Sequence, residues 1–550
     1  MNKKVDLTRW LLILVLLLAG FLRLYRLGSY PSLNADEAAI GYNAWSLLQT
    51  GKDEHGQSWP IHFKSFGDHK PGAYFYLVLP LIKLLGLNEW AVRLPSALAG
   101  ISTVCLVFLL AILLWNDKRL ALIWSFVLAV SPWHVHFSRG GWESNLAVFL
   151  MLLGTYLFFK FKIQNLEVKT AIQRPKFLIL SAFSFIAALY TYHSARVLAP
   201  LLVLGLAVFN WKLILKNLIH FVFPISFGVL LVVPLAISFL SGGASARFSG
   251  VGLFADSGPL WRVNELLNHH QGVGFPFVRL IHNKPVIYSI SFFQKYLSHF
   301  DGRFLFVDGD EVPRSKLPDM GLLHLFEFLF LFLGLVSWLR NKRPRKYLPF
   351  LLLVVAPFAS AMTFQAPSAL RALIMVVPLT FFVACGINSL LKIGLNKKTG
   401  FVVYLLLAVF YFFGLSYWQD QYFNHYLRRF SFAWPGGFKE LSVWISENGG
   451  SYKKIYISDR YDQPYILMLF YLQYPPGRIQ KEIALTPPDQ FGFSTVRSFD
   501  KFCFGLDKCG DLGKESGILI AAAPDEWSND KIVTKIYTKE GNLAFNLFGL

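Results

Sequence analysis

The sequence predicts a polytopic membrane protein, all-α through its spanning part and ending in a soluble α/β domain, on three observations. Hydrophobic residues make up 54% of the 550 positions, charged residues only 16%, and Phe alone occurs 53 times. Such a chain cannot hide its apolar surface inside a water-soluble globule. Apolar stretches close to the length of about 20 residues that crosses the hydrocarbon core recur along it. The positive charge, finally, gathers in alternate connections between those stretches.

About eleven spans are expected, at roughly 10–27, 94–115, 119–137, 144–161, 176–193, 196–211, 217–240, 320–339, 347–364, 371–391 and 400–418. With the N-terminus inside, the cytoplasmic connections are 116–119, 160–176, 212–216, 340–346 and 392–398. Together with the N-terminus they hold 20 Lys and Arg against three acids (Asp6, Asp117 and Glu167), a surplus of 17 within the formal total of +20. The charge is therefore a topology signal, and nucleic acid is not needed as a partner. The first apolar run is followed by Arg23, Tyr25 and Arg26 rather than by a small-residue cleavage site, so it reads as a membrane helix and not as a signal peptide.

Two outward segments are long. In the first, about 28–93, Asp36 to Thr50 reads as an amphipathic helix with Ala39, Tyr42, Trp45 and Leu48 near helical spacing. Pro71 to Gly86 is apolar but short and interrupted by Pro80 and Lys83, which places it along the outer membrane face. The second, about 241–319, opens with Gly242-Gly243-Ala244-Ser245 and contains Trp261, His269, His270 and His282. Without a clear apolar period, it reads as a lid, a binding loop or a disordered segment. After Trp418 the hydropathy falls. Phe438 to Glu447 looks helical, Lys454 to Ser458 and Gly517 to Ala522 look like strands, and Gly541 punctuates a final strand pair. The expected division is thus a transmembrane domain, 1–418, and an extracytoplasmic α/β domain, 419–550. Cys105 and Cys385 fall within spans as packing residues; Cys503 and Cys509 are compatible with a short-loop disulfide or with two free thiols.

Ionisable residues at a membrane boundary are costly to desolvate and tend to mark a polar cavity. Asp36, Glu37, Lys70, Arg93, Arg139, Glu143, His193 and Arg196 all fall on the outward side of this topology. Each also has a plainer reading: an arginine at a helix end snorkels to the interface, and an acid at a helix N-terminus answers the helix dipole. Their coincidence on one face points to a single outward site. No Gly-x-Ser-x-Gly, His-Glu-x-x-His or phosphate-loop pattern occurs, which argues against the common hydrolases and nucleotide-binding folds. No fixed-spacing His/Asp/Glu set indicates a metal, so no cofactor is assigned and a divalent metal is not indicated.

The stretches Asn34 to Asn43 (NADEAAIGYN), His69 to Tyr74 (HKPGAY) and Asn88 to Gly100 (NEWAVRLPSALAG) resemble the N-terminal signature of the GT-C glycosyltransferases. The similarity is nearest to the branch of the protein O-mannosyltransferases and lipid A aminoarabinose transferases (family 39-like). It covers about 30–105 and continues more weakly through Ser138 to Glu143. The resemblance implies a GT-C-like bundle with juxtamembrane helices and a polyprenyl-phosphate-linked sugar as donor. It makes Asp36 the general base for an acceptor hydroxyl, with inversion, and Glu37 a residue that orients the loop or shares in acceptor binding. Lys70 would meet the lipid phosphate, helped by Arg93, Arg139 or Arg196. Glu143 occupies the turn where relatives place a second acid. Where relatives carry Glu-Lys-Pro-Pro, this chain has His69-Lys70-Pro71-Gly72.

The expected partners are the lipid-linked donor, a glycan, lipid or protein acceptor, and membrane lipids. A transporter or flippase for lipid-linked sugars is the first alternative, but it predicts midplane charges and internal repeats, and the charges lie at one face with no repeat. An envelope-assembly scaffold is the second.

Overall fold

In a computed structural model of the chain, residues 7–167, 176–240, 252–270, 277–340, 345–392, 397–487, 494–509, 516–528 and 532–550 are described. The expected glycine-rich opening at 242–245 and, among the basic residues, Lys3, Lys4, Lys169, Arg174, Lys342 and Arg343 lie outside them. The chain divides into two compact units: one of Met1–Arg23, Ala99–Ser138 and Glu143–Trp418, the other of Leu24–Leu98, Arg139–Trp142 and Gln419–Leu550.

The first unit is helical. Across the described residues of the whole chain, six helices are long and apolar enough to cross a membrane: Leu7–Leu24, Glu89–Trp115, Glu143–Ile163, Leu218–Ser238, Leu373–Lys392 and Lys398–Arg429. The expected span at 119–137 is a pair, Lys118–Val130 and Pro132–Ser138, bent by 60°. Pro132 supplies the reason: the residue before a proline is pushed out of the helical region, and Ser131 is extended at φ −62°, ψ 123°. Shorter apolar helices occur at Lys176–Leu189, Ala195–Phe209 and Tyr347–Ala361, and Glu327–Arg340 lies where 320–339 was expected. The unit is knit by aromatic contacts: Trp338 meets Trp115 at 5.2 Å and Phe381 at 4.8 Å between ring centroids, and Trp124 meets Phe381 at 4.9 Å. The 241–319 segment differs from the expected loop in carrying two helices, Gly258–His269 and Lys284–Ser298. The start of the second is set by Asn283, whose side chain accepts the Val286 N–H at 3.0 Å, and by Pro285 in the first turn.

The second unit is built on a seven-stranded sheet. Its strands follow a small hairpin, β1 (His62–Ser65) and β2 (Asp68–Pro71), and are β3 (Lys454–Ile457), β4 (Ala484–Leu485), β5 (Val496–Phe499), β6 (Phe502–Phe504), β7 (Ile518–Ala522), β8 (Ile532–Tyr537) and β9 (Leu543–Gly549). Their order is β4-β5-β6-β3-β7-β9-β8, with β6, β3 and β7 parallel and the outer pairs antiparallel. The interior strand β7, next to the central β3, is buried at every position, as a strand covered on both faces must be. Cys503 and Cys509 form a disulfide beside it.

Helices Ala35–Thr50, Ala73–Leu85 and the first turns of Glu89–Trp115 belong to this same unit. Ala73–Leu85 has 13 residues, too few to span, as expected for a segment lying along the membrane. Helix Ala35–Thr50 rests against helix Pro464–Tyr471, and Gly41 makes the approach possible, because a Cβ there would stand 2.5 Å from the Phe470 ring and 2.8 Å from Val92. Hydrogen bonds fasten the contact. Tyr42 donates its hydroxyl to Tyr474 O at 2.7 Å, and Gln480 Nε2 donates to Asp53 O at 2.9 Å and Thr50 Oγ1 at 3.0 Å.

Candidate active site

Helix Ala35–Thr50 starts at Asn34. Its Oδ1 accepts the Glu37 N–H at 2.9 Å while its own N–H donates to Glu37 Oε2 at 3.2 Å, a reciprocal cap that turns Glu37 back toward the helix start. Adjacent helical positions point about 100° apart, so Asp36 and Glu37 face different surroundings.

Glu37 and Arg93 are sealed, at 1% and 0% side-chain exposure. Arg93 Nε and Nη2 donate to the two carboxylate oxygens at 2.7 and 2.8 Å, and the Gly141 N–H, at 2.7 Å, joins the Asn34 N–H as a fourth donor. The rest of the guanidinium binds backbone: Nη1 donates to Leu27 O and Pro31 O, both at 2.9 Å, and Nη2 to Ser32 O at 3.0 Å. All five guanidinium donors are thereby engaged within the protein. The pair ties together the turn before Asn34, the helix at Glu89 and the Arg139–Trp142 turn.

Asp36 and Lys70 form the second pair. The Lys70 ammonium contacts Asp36 Oδ1, with the lysine side chain 9% and the aspartate 36% exposed. A two-residue turn brings them together: Phe66 and Gly67, at φ 56° and 77°, close the hairpin and set Lys70 opposite Phe63. The Lys70 ammonium also lies 5.0 Å from the Phe66 ring centroid. Its neighbour His69 is half-buried, and desolvation lowers its pKa.

Arg139, fully buried, donates Nη2 to Tyr25 O at 2.7 Å and lies 5.0 Å from the Tyr422 and 5.2 Å from the Phe423 ring centroid. Asp36, Glu37, Lys70, Arg93 and Arg139 thus belong to one unit. Glu143, His193 and Arg196 belong to the helical unit. There Glu143 opens the helix Glu143–Glu167, and Arg196 Nη1 lies 3.2 Å from His193 Nδ1 and its Nε donates to Leu189 O at 3.3 Å.

One acid beside the second pair was not singled out from the sequence. Glu54 follows the helix end at Gly51, and its side chain is fully buried with Asn43, Tyr465 and Lys70 facing it. Burial pushes its pKa up to about 8, against smaller opposing effects from Asn43 and Lys70. His55, 3.7 Å away, is pushed down to about 4 by burial. The run Asp53-Glu54-His55 between Gly51 and Gly56 was the available signal.

Chemically, a half-exposed carboxylate next to a desolvated ammonium offers a base for a hydroxyl and a fixed cation for an anion at one point. Among the described residues, no group of three or more His, Cys, Asp or Glu side chains is placed to hold a metal ion.

Residues 68–237 match the family model described as dolichyl-phosphate-mannose-protein mannosyltransferase. That stretch includes Lys70, Arg93, Arg139, Glu143, His193 and Arg196, and begins after Asp36 and Glu37. The chain is 32% identical over 160 residues to "Putative mannosyltransferase YkcB" of Bacillus subtilis (strain 168), a match spanning 29% of this chain and 22% of that protein. Among solved structures it is similar to apo ArnT from Cupriavidus metallidurans, at TM-score 0.54 and 13% identity over 98% of each chain. It is also similar to the archaeal oligosaccharyltransferase AglB of Archaeoglobus fulgidus, solved with an inhibitory peptide and a dolichol-phosphate. That match has TM-score 0.53 and 12% identity, over 86% of this chain and 64% of AglB. The fold of the chain is the fold of these proteins.

Proposed function

We propose that this chain, whose fold is that of the GT-C glycosyltransferases, is a membrane transferase that moves a sugar from a polyprenyl-phosphate-linked donor to an acceptor hydroxyl on the outer face. The observation that carries the reading is the contrast between the two pairs. Glu37 and Arg93 are consumed by internal bonds, whereas the Asp36–Lys70 pair keeps its carboxylate open to solvent.

In this reading Asp36 accepts the proton of the acceptor hydroxyl as that oxygen attacks the anomeric carbon. The bond from that carbon to the phosphate oxygen breaks on the opposite side, giving inversion. The electron pair leaves on the phosphate, where the Lys70 ammonium, released from Asp36, offsets the growing charge. Arg139 is the next cation for that phosphate. Glu37 and Arg93 are positioning residues that fix the start of the Asp36 helix, and Arg93 has no donor left for a lipid phosphate. Glu143 and Arg196 are assigned to substrate binding from the resemblance, and His193 from its place among the outward ionisable residues.

The membrane arrangement belongs to the same proposal: eleven spans, N-terminus inside, with the 28–93 loop and residues 419–550 outside. The count of basic residues in alternate connections supports it.

The test is transfer by purified protein from synthetic polyprenyl-phosphate sugars, comparing wild type with Asp36→Asn and Lys70→Ala. Undiminished transfer by Asp36→Asn would remove the base assignment. Translocation of the lipid-linked sugar without any transfer would favour the flippase reading instead.

A further inference from the structure

A groove of about 500 Å³ opens between the tip of the β1–β2 hairpin and the sheet, lined by Phe66, Gln463, Thr486, Thr495, Arg497 and Lys508 among others. Its size suits a small ligand. Two of its walls are held in a backbone conformation that side chains other than glycine seldom adopt: Phe66 at φ 56° and Gln463 at φ 51°. Such residues cost free energy and tend to cluster where a ligand is clamped. Here both are fixed by neighbours. Phe66 packs edge-on to Tyr465 at 6.0 Å between centroids, and Gln463 Oε1 accepts the Thr495 hydroxyl at 2.5 Å.

The lining states a chemistry. It offers hydroxyls, an amide, a guanidinium and an ammonium, set among apolar surface that includes Phe66 and Pro487. Arg497 is exposed and uses one donor, Nη2 to Lys508 O at 2.6 Å; among the described residues its other donors make no hydrogen bond. The Lys508 charge is shared with Asp459. Hydroxyl, amide and aromatic groups beside an available guanidinium suit a sugar that carries an anionic substituent. The groove also leads to the chemistry, because Phe66, its wall, is the ring that lies against Lys70.

We propose that this groove binds the acceptor and that the acceptor is an acidic glycan, held through its anionic group by Arg497 with a sugar face toward Phe66. The inference rests on the transferase reading above.

The experiment is calorimetric titration of the full-length protein in lipid nanodiscs with a disaccharide 1-phosphate, the same disaccharide without phosphate, a uronic-acid disaccharide and a Ser/Thr-rich peptide. One of the two acidic sugars binds, and its identity tells phosphate from carboxylate. Arg497→Ala weakens that binding about tenfold or more, while Arg497→Lys retains most of it and an unchanged melting temperature shows both variants folded. Equal binding of the neutral disaccharide, binding indifferent to Arg497→Ala, or peptide binding that depends on Arg497 would each overturn the assignment. Binding needs no turnover, so the two readings fail separately. Transfer that requires Asp36 with no sugar binding at Arg497 removes the groove alone. Sugar binding by a protein that never transfers removes the transferase reading beneath it.

Discussion

Two acid–base pairs stand one residue apart in the chain and behave in opposite ways. Glu37–Arg93 is a closed knot: two charges out of water, four donors on the carboxylate and five engaged donors on the guanidinium. Asp36–Lys70 is a rim, with one contact between partners and a carboxylate 36% exposed. A saturated pair can do nothing but hold position, and a pair with spare capacity can exchange one partner for a substrate. The difference teaches that, in the proposed mechanism, the helix start is rigid so that the residue next to it can react.

Substitutions should separate the pairs, with the largest effect at the rim. Asp36→Asn is expected to lower transfer by about a hundredfold to ten-thousandfold, the usual worth of a general base, with the melting temperature nearly unchanged. Equal losses of activity and stability would erase the distinction. At the knot the effect is on folding. Glu37→Gln leaves the Arg93 charge buried without its counter-ion, which costs about 3–5 kcal/mol in a buried pair. The check is thermal unfolding in detergent, and a variant as stable as wild type would show that the knot carries no load.

Gly41→Ala probes the framework between them. Its Cβ would meet Phe470 at 2.5 Å, and overpacking of this kind costs about 1–3 kcal/mol. Activity should recover partly at low temperature if the helix merely shifts. A pH-dependent effect is expected at Glu54. Its folded pKa is raised from 4.5 to about 8, so the folded state holds a proton that the unfolded chain releases. Glu54 therefore lowers stability progressively as pH rises through that window, and the penalty levels off above it. Glu54→Gln, which mimics the neutral acid, should flatten this part of the melting-temperature profile between pH 4.5 and 8. His55 contributes with the opposite sign below its ordinary value of 6.5, so the comparison is variant against wild type.

Local features were legible in the sequence and long-range ones were not. The helix expected from Asp36 to Thr50 is seen at Ala35–Thr50, the strands near 454 and 517 are found at Lys454–Ile457 and Ile518–Ala522, and the helix at 438 runs to Asn448. Each follows from periodicity or from punctuation within a dozen residues. The hairpin that carries Lys70 to Asp36 was missed because its turn is Phe-Gly, and Phe is not a residue that advertises a left-handed turn. Glu54 was missed because its burial depends on Tyr465, more than four hundred positions away. The fate of Arg93 was hidden for the same reason. An arginine at a helix end reads as a surface anchor until the carbonyls of Leu27, Pro31 and Ser32 are seen to enclose it.

The helix that carries Asp36 leans on Phe470 and is tied to Tyr474 and Gln480, so its seat is made by residues synthesised long after it. At about 5–20 residues per second, the ribosome needs roughly 20–90 seconds to travel from position 36 to position 480. During that interval the first loop is already outside in the proposed topology, while the surface that orders it has not yet been made. A nascent chain at that stage would be translocated but catalytically silent. Maturation of the proposed transferase would then be timed by its own translation.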